Sequence, residues 1–115
     1  MGHNSAVSIA STVSMTKKSN PALVLVHGLG SAGTIWKSLI SDLEKDFTVY
    51  SIDLPGHGQA ALDSHEKYDP RSLGEMILRY MQSVHNVHKM HVAGNSLGGW
   101  ISLEMAALRP ALVAS

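Results

Sequence analysis

Ser96 lies midway between two glycines in the run Gly94-Asn95-Ser96-Leu97-Gly98. A strand-like stretch precedes it and a helix-like stretch follows. This is the pattern of a nucleophile elbow, a sharp strand-to-helix turn with a serine at its apex. The apex backbone is strained, and large side chains two positions away would collide, so Gly94 and Gly98 suit those places. The turn exposes the hydroxyl at the carboxyl end of a sheet. It also aims the Leu97 N–H at an oxygen that becomes negative during attack. The chemistry is acyl transfer or ester-type hydrolysis through the serine oxygen.

Two further groups of residues could meet that serine. Leu23-Val24-Leu25-Val26 is a continuous apolar run, as expected of a parallel strand covered on both faces. It ends in His27-Gly28-Leu29-Gly30, whose two glycines allow a tight loop with N–H groups pointing at a ligand. After a strand from Phe47 to Ile52 comes Asp53-Leu54-Pro55-Gly56-His57-Gly58. The His27 loop lacks the third glycine of a dinucleotide fingerprint and the Lys-Ser/Thr of a phosphate loop. A nucleotide role is therefore set aside.

The elements that must position these groups are legible as periodicity. Met90 to Ala93 forms a short buried strand before the elbow. Leu97 to Leu108 forms a helix that is apolar on most faces, with Glu104 its one charge before Arg109, and Pro110 stops it. Ile35, Trp36, Leu39, Ile40 and Leu43 repeat at helical spacing, with Thr34 as a cap. Leu73, Met76, Ile77, Tyr80, Met81 and Val84 define a second crossover helix, with Asp69 as cap and Pro70 in the first turn. Trp36 and the methionines have structural roles, and Trp100 is expected to pack rather than to floor a pocket. Alternation from Val7 to Val13 suits an edge strand.

The three motifs, in this order, resemble the α/β-hydrolase family over roughly residues 20–112. The resemblance implies an α/β fold: an incomplete three-layer sheet with three parallel strands joined by crossover helices. It implies Ser96 as the nucleophile. It gives the Leu29 and Leu97 N–H groups as oxyanion-hole donors, with His27, Gly28, Gly30, Gly94 and Gly98 shaping the loops. Asp53 and His57 are expected to fix loops. The implied activity is a serine hydrolase that attacks an ester, thioester or lactone and needs no cofactor. Asn95 before the serine also resembles carbon–carbon bond hydrolases of the meta-cleavage type.

In that family an Asp or Glu and then a His follow the serine. Here Glu104 is the sole acid after Ser96, and all seven histidines precede it. The chain is expected to be the N-terminal portion of a hydrolase domain (residues 21–115) behind a leader (1–20) that is disordered or weakly β. A sheet ending at the elbow strand leaves that strand as a bare edge. The expected partners are a small carbonyl substrate and a complementing chain, or self-association through that edge. A non-catalytic remnant or partner-binding fragment is the reading of another class.

Composition excludes several alternatives. A formal net charge of +0 gives no basic surplus for nucleic acid or an anionic membrane. No apolar run is long enough to cross a membrane. No signal peptide is read, because Lys17 and Lys18 follow the weakly apolar stretch instead of preceding it, and a cytoplasmic location is expected. The chain has no cysteine, so disulfide and thiol chemistry are excluded. His85, His88 and His91 are spaced by threes, but the helix should end near Asn86. Their rings then diverge, and no metal site is expected.

Overall fold

The computed structural model describes residues 9–14, 20–28, 37–55 and 69–115. Strands β1 (Ala10–Val13), β2 (Ala22–Val26), β3 (Thr48–Asp53) and β4 (Met90–Gly94) form one sheet in the order β1-β3-β2-β4. β2 pairs in parallel with β3 and with β4. β1 pairs antiparallel with β3, adding a fourth strand on that edge to the three parallel strands read from the sequence. The central strands β2 and β3 are buried along their whole length, which accounts for the unbroken apolar run of β2, while β3 buries Thr48, Ser51 and Asp53 among its apolar residues.

Helices cover both faces. On one face, α1 (Lys37–Leu43) sets Ile40 and Leu43, with Phe47, against Leu23, Leu25 and Val49. Leu39 was expected on this buried face but is about half exposed. Thr34, Ile35 and Trp36, the remainder of that helix pattern, lie outside the described residues.

On the other face, α2 (Pro70–His85) and α3 (Leu97–Leu108) pack over Val24, Val26, Tyr50, Ile52 and Met90. Asp69 caps α2 by accepting the Ser72 N–H at 2.8 Å, and Asn86 ends it in the left-handed region at φ 56°. Leu73, Ile77 and Met81 are buried beneath it, each burial stabilising by roughly 1.5–3 kcal/mol. Val84, the last of its periodic positions, instead points to solvent. Gly74 lets the two helices approach, because a methyl there would lie 3.1 Å from Met105 Cγ.

The elbow strand is not a fully bare edge. After α3 the chain turns back, and Val113 forms a parallel bridge with Met90. Met90 N–H donates to the Leu112 carbonyl at 2.8 Å, and Ala114 N–H donates to the Met90 carbonyl at 2.7 Å. No helix among the described residues is long and apolar enough to cross a membrane.

Candidate active site

The carboxyl ends of β2, β3 and β4 lie side by side because all three strands run in the same direction. Each delivers one of the sequence motifs to that end of the sheet. β4 delivers the elbow. Ser96 has φ 59° and ψ −118°, a positive φ outside the ordinary left-handed well. Its side chain makes no capping bond to α3. A serine in this position of a helix normally caps, so the conformation is held by its surroundings and not by local preference.

The two flanking glycines show what holds it. A Cβ on Gly94 would run into the backbone of Gly98 and come within 2.6 Å of Gly99 N. A Cβ on Gly98 would strike the Val26 carbonyl and come within 2.7 Å of the His27 oxygen. The start of α3 therefore sits on the backbone of both β4 and β2. Asn95 N–H donates to the Val26 carbonyl at 3.2 Å, and Gly98 N–H to the Asn95 carbonyl at 3.0 Å. Ser96 itself is exposed, so its hydroxyl is open to a ligand.

β2 brings His27 and Gly28 against the elbow. A Cβ on Gly28 would lie 3.3 Å from Ser96 Cβ and 3.9 Å from Ser96 Oγ. His27 is fully buried and ties two loops together. Leu54 N–H donates to its Nε2 at 3.1 Å, so the ring proton is on Nδ1, which donates to the Gly28 carbonyl at 2.6 Å. The imidazole thus works as a neutral strap between the turns after β2 and β3. Each buried backbone group it satisfies would cost about 1–3 kcal/mol unpaired. The part played by Leu54 carries no sequence signal, since any residue but proline offers the same N–H.

Leu29 and Gly30, which follow Gly28, lie outside the described residues, as do Gly56, His57 and Gly58. Leu97 opens α3 directly after Ser96. Asp53 is buried at the end of β3.

The three spaced histidines go separate ways. His85 Nε2 lies 2.9 Å from Ser11 Oγ, His88 Nε2 lies 2.8 Å from Asn86 Oδ1, and His91 Nδ1 lies 2.8 Å from Ser115 Oγ. No group of three metal-ligating side chains occurs among the described residues. Trp100 differs from expectation, being 57% exposed with its Nε1 donating to Glu104 at 3.3 Å.

Known proteins resemble this chain in sequence and in fold. An acetyltransferase component of the acetoin cleaving system of Pseudomonas putida is 39% identical over 93 residues, which is 81% of this chain and 25% of that protein. A pimeloyl-[acyl-carrier protein] methyl ester esterase of Aeromonas salmonicida is 32% identical over 90 residues, covering 78% of this chain and 34% of the esterase. Among solved structures, an N-acyl homoserine lactonase complexed with N-butanoyl homoserine superposes with a TM-score of 0.80 at 30% identity. That superposition covers 90% of this chain and 38% of the lactonase. The chain thus spans between a quarter and two fifths of the length of these relatives. The sequence profile of the alpha/beta hydrolase fold matches residues 21–115. With the match running through every strand and helix after β1, the chain belongs to the α/β-hydrolase fold family.

Proposed function

We propose that this chain carries the nucleophile of a serine hydrolase that opens an ester, thioester or lactone through an acyl-enzyme at Ser96. The observation that carries this reading is the backbone at Ser96, a non-glycine residue with positive φ, presented to solvent and pressed against Gly28. Strain of this kind costs on the order of 1–3 kcal/mol and persists where the surroundings over-determine it. The substrate class is supported by relatives named as a methyl ester esterase and an acyl homoserine lactonase.

In this mechanism Ser96 Oγ attacks the carbonyl carbon and the carbonyl oxygen becomes negative. The Leu97 and Leu29 N–H groups stabilise that oxygen, and each such donor contributes on the order of 10²–10³ in turnover. The alcohol or thiol leaves, and water then releases the acid from Ser96. A base must take the serine proton and return it to the leaving group. No histidine follows Ser96, and His27 is already engaged at both ring nitrogens. In this reading the acid and the histidine come, in the family's order, from the part of the domain that the relatives carry after the matched stretch.

Fluorophosphonate labelling read by mass spectrometry tests this. The 115-residue chain should label at Ser96 slowly or not at all, because no base activates the hydroxyl. Rapid labelling that disappears in Ser96→Ala would overturn the assignment of the base to another segment. Rapid labelling at a different residue would overturn Ser96 as the nucleophile.

A further inference from the structure

The end of the sheet opposite the elbow holds a cavity. Thr48 opens β3 there, Val13 closes the antiparallel β1 beside Tyr50, and His85 closes α2. These chain ends meet around a space of about 510 Å³. That size lies within the range of small-molecule sites, roughly 300–1,000 Å³. The elbow stands at the carboxyl ends of the parallel strands, so the cavity and Ser96 lie at opposite ends of the sheet.

Its walls are pre-formed. Tyr50 is 8% exposed, and its ring meets that of His85 with centroids 4.8 Å apart and planes tilted by 56°. His85 is held in turn by β1 and α2. Its Nε2 lies 2.9 Å from Ser11 Oγ, which lies 2.8 Å from Tyr80 Oη, and its ring meets the Tyr80 ring edge-on at 5.2 Å. Val13, Val84 and Val87 supply the apolar lining. A ring pair beside branched aliphatic side chains favours a flat aromatic guest, since tilted ring contacts add to what burial alone contributes.

The polar groups set the rest of the recognition. No Asp, Glu, Lys or Arg is among the described residues that line the cavity, so a fully charged guest would lose hydration without gaining an ion-pair partner. The Ser14 hydroxyl on the wall already accepts the Val49 N–H at 2.9 Å. Burial raises the Tyr50 pKa from its ordinary value, which keeps the phenol protonated and able to donate. Asn86 Oδ1 is engaged by His88 Nε2 at 2.8 Å, which leaves the Asn86 amide N–H groups as donors. Donors on the wall call for an acceptor on the guest.

We propose that this cavity binds an uncharged aromatic molecule of the ketone or amide class, with its ring against Tyr50 and His85 and its carbonyl oxygen toward the Tyr50 hydroxyl and the Asn86 amide. The inference does not depend on the reading of Ser96, because no lining residue belongs to the elbow.

Benzophenone is a probe of this class that also reports where it sits. Its light-excited carbonyl takes a hydrogen atom from a nearby C–H bond, and the two carbon radicals then join. Irradiating the 115-residue chain with benzophenone, followed by peptide mass spectrometry, should place the adduct on Val13, Val84 or Val87. Benzamide, which does not photoreact in this way, should suppress the adduct, whereas benzoate at the same concentration should not. Val84→Trp should cut the adduct about tenfold or more, as expected when a large side chain takes the space of the guest. Val84 is 60% exposed, so this variant should keep the unfolding midpoint of the parent, which separates lost binding from lost folding. Tyr50→Phe keeps the ring and removes one hydrogen bond, and should cut the adduct about fivefold. No adduct, an adduct on α3 instead, or an adduct indifferent to Val84→Trp would overturn the proposal. Suppression by benzoate as strong as that by benzamide would overturn it as well, since the guest would then be an anion.

Discussion

The helices α2 and α3 lie side by side on one face of the sheet and obey different rules. α2 begins at an aspartate cap, has proline in its first turn and ends at a left-handed asparagine. Its buried residues fall on one stripe, and its polar side carries a Glu75–Arg79 pair at i,i+4. α3 begins at a serine that does not cap it, with a backbone conformation that L-residues rarely adopt. It also leaves Trp100 and Leu103 in solvent. Local preference and global position agree in α2 and conflict in α3. Natural proteins often break local rules at functional sites, and here the conflict falls at the proposed site.

Substitutions can break this comparison in graded ways. The largest effect belongs to Gly98→Ala in the first turn of α3. Its methyl would meet backbone atoms of Val26 and His27, which cannot move aside without pulling β2 out of register. A loss above about 4 kcal/mol is expected by urea unfolding, beyond the ordinary range for single substitutions. A loss under 1 kcal/mol would mean that the elbow is looser than its geometry. Asp69→Ala in α2 removes one cap bond and should cost about 1 kcal/mol in the same assay. Leu103→Ser should change the stability of the free chain by less than about 0.5 kcal/mol, as expected of an exposed site. A larger loss would place Leu103 in the core and remove the contrast between the helices.

How much of this was legible in the sequence differs between the helices for the same reason. The boundaries of α2 are written in local chemistry, so Asp69, Pro70 and the periodic Leu73, Ile77 and Met81 predict it directly. The elbow was legible because its steric demand is local too, and Gly94 and Gly98 are the residues that fit. Exposure along α3 was not legible. Trp100 and Leu103 look like core residues by type, yet both side chains are exposed.

The return of Val113 to Met90 was also hidden. Residues Pro110 to Ser115 are too few to show a strand period, and their pairing depends on where α3 delivers them. The β1 strand was visible as alternation, but its antiparallel partner was not, because pairing direction is a property of the whole sheet. A loop-shaping role for His27 was implied by the family resemblance and not by its own position in the sequence. Its second partner, the Leu54 amide, became evident only once β2 and β3 were aligned.

The proposed role of Ser96 requires a strained turn, held for chemistry at the expense of stability. Comparing the unfolding free energies of Ser96→Gly and Ser96→Ala tests it most directly. Glycine relieves a positive φ that alanine does not, and neither substitution removes a capping bond. Ser96→Gly should raise stability by about 1 kcal/mol, strain relief outweighing the extra unfolded-state entropy of glycine. Ser96→Ala should stay within about 0.5 kcal/mol of the parent, since it keeps both the strain and the lack of a cap. If Ser96→Gly instead lowers stability while Ser96→Ala does not, the turn is relaxed, and the account of Ser96 as a strained nucleophile is contradicted.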